Sequence, residues 1–268
     1  MTPGWLARAA AGTLRAPRTR WSSGWIALAL MAAALLVRLP GLTWGLPYVY
    51  HPDEPTHVDI VLGILKTGDL NPHWFKYPSF RVYISLPVAI LYFLLGVARG
   101  QFTSVQELQA ANLLNLGAGT TAIPGLYAGL RLLMTLFGVL AVGGLFWYGE
   151  RRWDRHVGLL AALALLISPL DVMVGHWYRP DTILSLFSGA AVLAAAWLLR
   201  DGRPRAYLLA GALAGLAASV KYNALALQFL PIVLAHVLAG RRLFDWRLWV
   251  TPVAALAVFL LITPYALL

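Results

Sequence analysis

Apolar runs recur along the whole chain, near 25–45, 83–98, 126–148, 156–173, 182–199, 206–220, 223–239 and 248–267. Polar residues gather in the gaps between them. A helix needs about 20 apolar residues to cross a bilayer. Several of these runs are shorter, so flanking aromatics and arginines must extend them. The pattern predicts an all-α polytopic membrane protein. Small-residue spacing such as Gly211 and Gly215 permits close helix packing inside it.

Arginine positions sort the runs. Clusters lie at 8–20, 149–156, 200–205 and 240–247. The positive-inside rule puts all four on the cytoplasmic side, together with a basic N-terminus over 1–24. Between the first two clusters the chain must cross an even number of times, yet three apolar runs lie there. The run 83–98, YISLPVAILYFLLGVA, is the shortest of the three and contains Pro87. It is expected to lie at the outer interface without crossing. The remaining runs alternate, giving about seven spans within a transmembrane module over 25–268. A long first extracytoplasmic loop, about 46–125, is expected to carry juxtamembrane helices. Three short motifs then share one face: HPDEPTH with its loop, GHWYRPD at 175–181, and SVKYN at 219–223.

Composition agrees with this reading. Hydrophobic residues make up 60% of the 268 and charged residues 12%, against about 25% charged in a soluble domain. The formal charge of +10 reads as topology. Nucleic-acid binding is excluded, because no basic soluble surface is long enough to carry it. The chain has no cysteine, which excludes disulfides, cysteine nucleophiles and cysteine metal sites. The run WIALALMAAALLVRLPGL leads into a longer hydrophobic region with no obvious cleavage site, so it reads as an uncleaved first span. Nothing basic or polar follows LLITPYALL. The expectation is an N-terminal part of a longer protein, or a short relative of one.

The candidate chemistry lies in the gaps. Pro52 and Pro55 frame Asp53 and Glu54 and restrict the backbone around them. Adjacent carboxylates near an apolar surface repel each other, and burial favours the protonated form. A carboxylate pushed toward neutrality can act as a general base. The alternative is a solvated loop. Lys76 and Arg81 follow, among His73, Trp74, Tyr77 and Tyr83. The two cations either snorkel or grip a lipid phosphate. The aromatics are interfacial anchors or a sugar platform. Asp181, directly after Pro180, either caps a helix or joins His176, Tyr178 and Arg179 in a second polar cluster. Lys221 lies on the same face. Arg131, in the outer turn of an apolar span, is costly there unless it snorkels or meets an anion. Oxygen and imidazole from His51, Asp53, His57, His176 and Asp181 suit a divalent ion, with Asp53, His176 and Asp181 the main candidates. No sharp metal spacing is present.

The motifs in order are HPDEPTH, NPHWFKYPSF, GLYAGLRLLMTLFGVLAV, HWYRPDTILSLF, LAGLAASVKYNAL and ITPYALL. Over roughly 25–268 this order resembles the bacterial and archaeal membrane glycosyltransferases of the GT-C superfamily, family 39-like. The nearest groups are the protein mannosyltransferases and the aminoarabinose transferases. The resemblance implies a GT-C-like module in a prokaryotic plasma membrane, with an extracytoplasmic active face and a cytoplasmic N-terminus. It implies transfer of a sugar from a polyprenyl-phosphate donor to a hydroxyl or amine, by a direct inverting mechanism. Asp53 matches the family's general base and Glu54 its partner acid. Lys76 and Arg131 match positions near the donor phosphate, and Arg179 and Lys221 are further candidates there. His57, Tyr77, His176 and Asp181 are the expected substrate and second-loop residues. More distant members place a second acid where Asp181 lies, some with a metal, whereas the nearest relatives resemble metal-independent enzymes. The expected partners are membrane lipids, an acceptor of undefined class (protein, lipid or glycan) and a partner subunit. Members usually carry more spans and an outer domain. Two other readings stand beside this one. A transporter subunit places its charges near the midplane, unlike the sided placement here. A non-catalytic scaffold of a glycosyltransferase assembly fits the short chain.

Overall fold

The computed structural model describes residues 22–113 and 119–267. Apart from Ser22, Ser23 and Gly24, the expected cytoplasmic N-terminus and its arginine cluster lie outside the described residues. The described residues are helical and contain no strand. One isolated antiparallel bridge joins Tyr48 to Thr120.

Eleven α-helices follow one another among the described residues. The apolar run SGWIALALMAAALLVR forms α1 (Ser23–Arg38), which tightens into a 3-10 turn over Leu39–Gly41 where Pro40 interrupts the ladder. The first loop holds three helices: α2 (Asp53–Thr67), α3 (Phe80–Ala98) and α4 (Val105–Leu113). Gly68, in the left-handed region at φ 73°, ends α2. The long α5 (Pro124–Arg152) comes next, then the pair α6 (Arg155–Leu166) and α7 (Pro169–Gly175), bent by 57° at the break. The chain continues through α8 (Asp181–Leu198), α9 (Pro204–Ala218), α10 (Ala224–Leu238) and α11 (Trp246–Ile262). Proline opens α5, α7 and α9, where its missing N–H costs nothing. Asp154 and Asp245 cap α6 and α11 through backbone N–H groups.

Four helices are long and apolar enough to cross a membrane: α1 with its 3-10 turn, α3, α5 and α8; the bent pair α6–α7 makes a fifth candidate. The others on the expected list of seven are shorter. The expectation that 83–98 is too short is corrected, because the helix starts at Phe80, reaches 19 residues and contains Pro87 without ending there. Packing locates it more sharply than length does. Val88 and Tyr92 lie over Gly129 and Gly125 of α5, and Phe80 meets Phe187 of α8, which also meets Phe137 of α5. So α3 runs antiparallel to the first half of α5 only. The second half of α5 packs on α1, where Gly143 faces Met31, and on α6, where Gly149 faces Gly158.

Three cores result. One lies between the first-loop helices, α5 and the start of α8. A second joins α8 to α11. The third joins α1, α5 and α6. In the second core, Gly211 and Gly215 press directly on the backbone of Thr251 and Ala255 in α11. A Cβ at either glycine overlaps a carbonyl oxygen that cannot rotate away. Gly211→Ala is therefore expected to cost about 1–3 kcal/mol, seen as a lower unfolding midpoint in detergent. Gly63→Ala on α2 is the control, since a Cβ there meets nothing. Equal midpoints for the two variants would contradict this account of the α9–α11 contact.

Candidate active site

Four segments meet at one end of the bundle: the start of α2, the stretch 71–81, the stretch 175–181, and the turn between α9 and α10. Each junction is a specific contact. Tyr178 binds Glu54, Lys221 binds Asp181, and Lys221 Nζ lies 5.8 Å over the ring of Tyr77. The three motifs expected on a common face are thus gathered in space.

Glu54 and Arg131 form the keystone. Glu54 Oε1 accepts from Arg131 Nε at 2.9 Å and from the Tyr178 N–H at 2.7 Å, and Oε2 accepts from Arg131 Nη2 at 2.7 Å. Arg131 Nη1 also donates to the carbonyls of Leu42 and Trp44. Both side chains are buried. One guanidinium therefore ties α5 to α2, to the segment after α1, and through Glu54 to the approach to α8. Its donors are largely consumed, which leaves little for a ligand.

The neighbouring Asp53 has the opposite situation. Successive residues on a helix do not face the same way, so with Glu54 turned inward Asp53 turns to the rim. Its carboxylate is half-buried and has no hydrogen-bond or ion-pair partner among the described residues. Its backbone N–H donates to His51 Nδ1. His51 stands edge-on to Trp177, 4.8 Å away. Burial and the charge of Arg179 lower the His51 pKa, while Asp53, Glu54 and Asp181 raise it. The same imidazole thus feels both acidic motifs.

Asp181 is the first residue of α8, and neither it nor Pro180 caps the helix by a side-chain bond. Its carboxylate instead meets Lys221 Nζ at 2.6 Å and Arg179 Nε at 3.0 Å. Lys76 is exposed on the stretch between Trp74 and Tyr77. Arg81 lies buried at the start of α3, its guanidinium 4.7 Å above the Tyr178 ring, with Nη1 unpartnered. The Tyr178 hydroxyl donates to Ser85, which donates to the Arg81 carbonyl. Setting aside the Glu54–Arg131 pair, four cations (Lys76, Arg81, Arg179, Lys221) face two carboxylates (Asp53, Asp181). A cluster with that surplus of positive charge attracts anions.

His57 is buried among the rings of Trp74, Tyr77 and Tyr178. Burial, then the charge of Arg81, lower its pKa from 6.5 to about 3, against a hydrogen bond to the Tyr178 backbone that raises it. The folded protein keeps this ring neutral, whereas the unfolded chain protonates it below 6.5. The stabilisation from a neutral His57 is present above that value and is lost as pH falls toward 3. The unfolding midpoint in detergent is expected to drop on acidification from neutral pH to pH ~4.5, and His57→Gln to flatten that drop. A variant as acid-sensitive as wild type would contradict the assignment.

His176 donates from Nε2 to the Arg38 carbonyl at 2.6 Å and packs against Gly41, leaving no room for a Cβ. It lines a hollow of 310 Å³ with Trp44, Tyr50, Trp177 and Arg131. Asp53, His176 and Asp181 are not gathered as a metal site, and no group of three acids or histidines among the described residues could hold an ion. Asp59, in the same acidic stretch, accepts from Gln109 of α4. A second buried pair, Arg38 with Asp171 at 2.6 Å, fastens α1 to α7. The sequence reading missed it, although a lone arginine in ALLVRLPGL was the visible signal.

An all-α helical assembly with several membrane-length apolar helices and one charged cluster at an end defines a polytopic integral membrane protein. The comparison with known families is more particular. The family model for dolichyl-phosphate-mannose-protein mannosyltransferase matches residues 118–266, more than half of the chain. The chain belongs to that family, and so to the membrane glycosyltransferases. No curated protein and no solved structure matches it. The matched region contains Arg131, Arg179, Asp181 and Lys221, and it stops short of Asp53, Glu54, Lys76 and Arg81.

Proposed function

We propose that this protein transfers a sugar from a polyprenyl-phosphate donor to an acceptor hydroxyl or amine, with Asp53 as general base. The observation that carries this reading is the contrast between the paired acids. Glu54 is locked by Arg131 and Tyr178, while Asp53 next to it is free at the rim of a cationic region. In the reaction the acceptor proton passes to Asp53 as the acceptor atom bonds the anomeric carbon. The bond from that carbon to the phosphate oxygen breaks on the opposite side, and polyprenyl phosphate departs with its electrons. The configuration inverts. Lys76, Arg179 and Lys221, backed by Arg81, offset the charge growing on the phosphate. Arg131 acts as a positioning residue through Glu54. His57 and Tyr77 line the region, and the aromatic hollow beside His51 suits an acceptor sugar or ring. The residues as placed do not fit a metal, and no step is assigned to one.

The topology that goes with this reading has the site on the extracytoplasmic face of a prokaryotic plasma membrane and the arginine clusters on the cytoplasmic face. Seven crossings follow if the short helices α9, α10 and α11 cross and α3 stays in the outer half. The acceptor's class and any partner subunit belong to the same proposal.

Donor binding tests it. Lys76→Ala and Lys221→Ala should each weaken binding of a polyprenyl-phosphate sugar by about tenfold, the usual cost of one charged hydrogen bond. Lys76→Ala, at an exposed position, should keep a wild-type unfolding midpoint, whereas Lys221→Ala also gives up the bond to Asp181. Unchanged donor affinity in both would remove the phosphate from this site.

A further inference from the structure

We propose that the far end of the bundle binds an anionic phospholipid, with an acyl chain between α5, α8 and α9 and the phosphate at Arg151 and Arg152. These arginines lie twenty residues beyond Arg131 on the continuous helix α5, which places them about 30 Å from the site described above. The binding would be independent of the transfer reaction.

The groove measures 550 Å³ and its walls are apolar, with Leu145, Leu186 and Leu213 among them. Gly144 and Gly189 line it too, and a Cβ at either meets nothing within 4 Å. At other helix contacts, Gly143, Gly149, Gly211 and Gly215 press on neighbours. This groove is left for something else to fill. Its apolar walls ask for hydrocarbon, and its mouth asks for an anion. Arg151 lies 4.0 Å over the Trp147 ring, and Arg152 lies 4.7 Å over the Trp197 ring. Stacking uses the face of a guanidinium and leaves most of its in-plane donors available to oxygen.

No carboxylate takes those donors. The adjacent Glu150 is held by Ser23 and Arg155, and Asp201 by Arg203 and Arg205. Neither Arg151 nor Arg152 has an acidic partner among the described residues. The groove adjoins a basic hollow of 790 Å³ that shares Trp197 and adds Arg200 and Arg247. Basic pockets of this kind between membrane helices suit lipid head groups. A neutral phospholipid would leave the arginines unanswered, and a soluble anion would leave the apolar walls bare.

Native mass spectrometry of the full chain in detergent, titrated with phosphatidylglycerol or phosphatidylcholine of equal chain length, tests this. Two cations at the head group predict a preference of roughly thirtyfold for phosphatidylglycerol. The double variant Arg151→Gln/Arg152→Gln should lose that preference. Gly189→Leu should weaken phosphatidylglycerol binding by filling the groove, with no change in unfolding midpoint. Glycerol phosphate, which has the head group without the chain, should not compete. Equal binding of the two lipids would overturn the proposal. So would a preference that survives both variants, or full competition by glycerol phosphate.

Discussion

Asp53→Asn is expected to remove most sugar transfer while leaving donor affinity near wild type. A lipid phosphate is already a usable leaving group and needs little protonation. The acceptor is the harder partner, because a hydroxyl is a poor nucleophile until its proton departs. A positioned base typically contributes about a hundredfold to ten-thousandfold, and transfer should fall by that range. Asparagine keeps the shape and removes the basic oxygen. Nothing structural should change, since the Asp53 carboxylate holds no other group among the described residues. Assay of the purified chain, with its partner if one is required, measures transfer and donor binding separately. The product anomer should be inverted relative to the donor. Full transfer by the asparagine variant, or a retained anomer, would end this mechanism.

Arg131→Met should have the largest effect on stability. It leaves the Glu54 carboxylate buried, with the Tyr178 N–H as its remaining partner. Breaking one side of a buried pair typically costs about 3–5 kcal/mol. Glu54→Leu is expected to cost a similar amount, because it strands the guanidinium. The double variant Glu54→Leu/Arg131→Met strands no charge and should cost less than the sum of the singles. That coupling is read from a double-mutant cycle of unfolding free energies. A role for Arg131 on the donor phosphate makes a different forecast: weak donor binding, a normal midpoint and no coupling to Glu54. The two outcomes separate the roles.

This pair shows where reading along the chain ends. HPDEPTH displayed two adjacent acids framed by prolines, and both were natural candidates for chemistry. Which one is free was not visible, because it depends on which face of α2 meets α5. Arg131 stood out as an arginine in an apolar run that had to meet an anion. In the fold it meets Glu54, 77 residues away in sequence. Likewise Asp181 read either as a helix cap or as part of a polar cluster, and only the fold places Lys221 against it. His176 gave no sign along the chain of its contacts with Arg38 and Gly41.

The helical, membrane-embedded class of the protein was determined by sequence alone, since hydrocarbon demands long apolar helices whatever their arrangement. The spacing of Gly211 and Gly215 permitted close packing, and the fold supplied its partners, Thr251 and Ala255. The sequence also limited the chemistry to a few polar gaps, because charge is expensive elsewhere. The tertiary structure alone decided how those gaps combine. It matched Glu54 to Arg131 and Arg38 to Asp171, and it left Asp53 unpaired. It also set α3 against only the first half of α5, which no count of apolar residues reveals. The physical reason is that a buried charge must be neutralised by whatever the fold brings within about 3 Å, and at that range the partner is set by helix packing and not by distance along the chain.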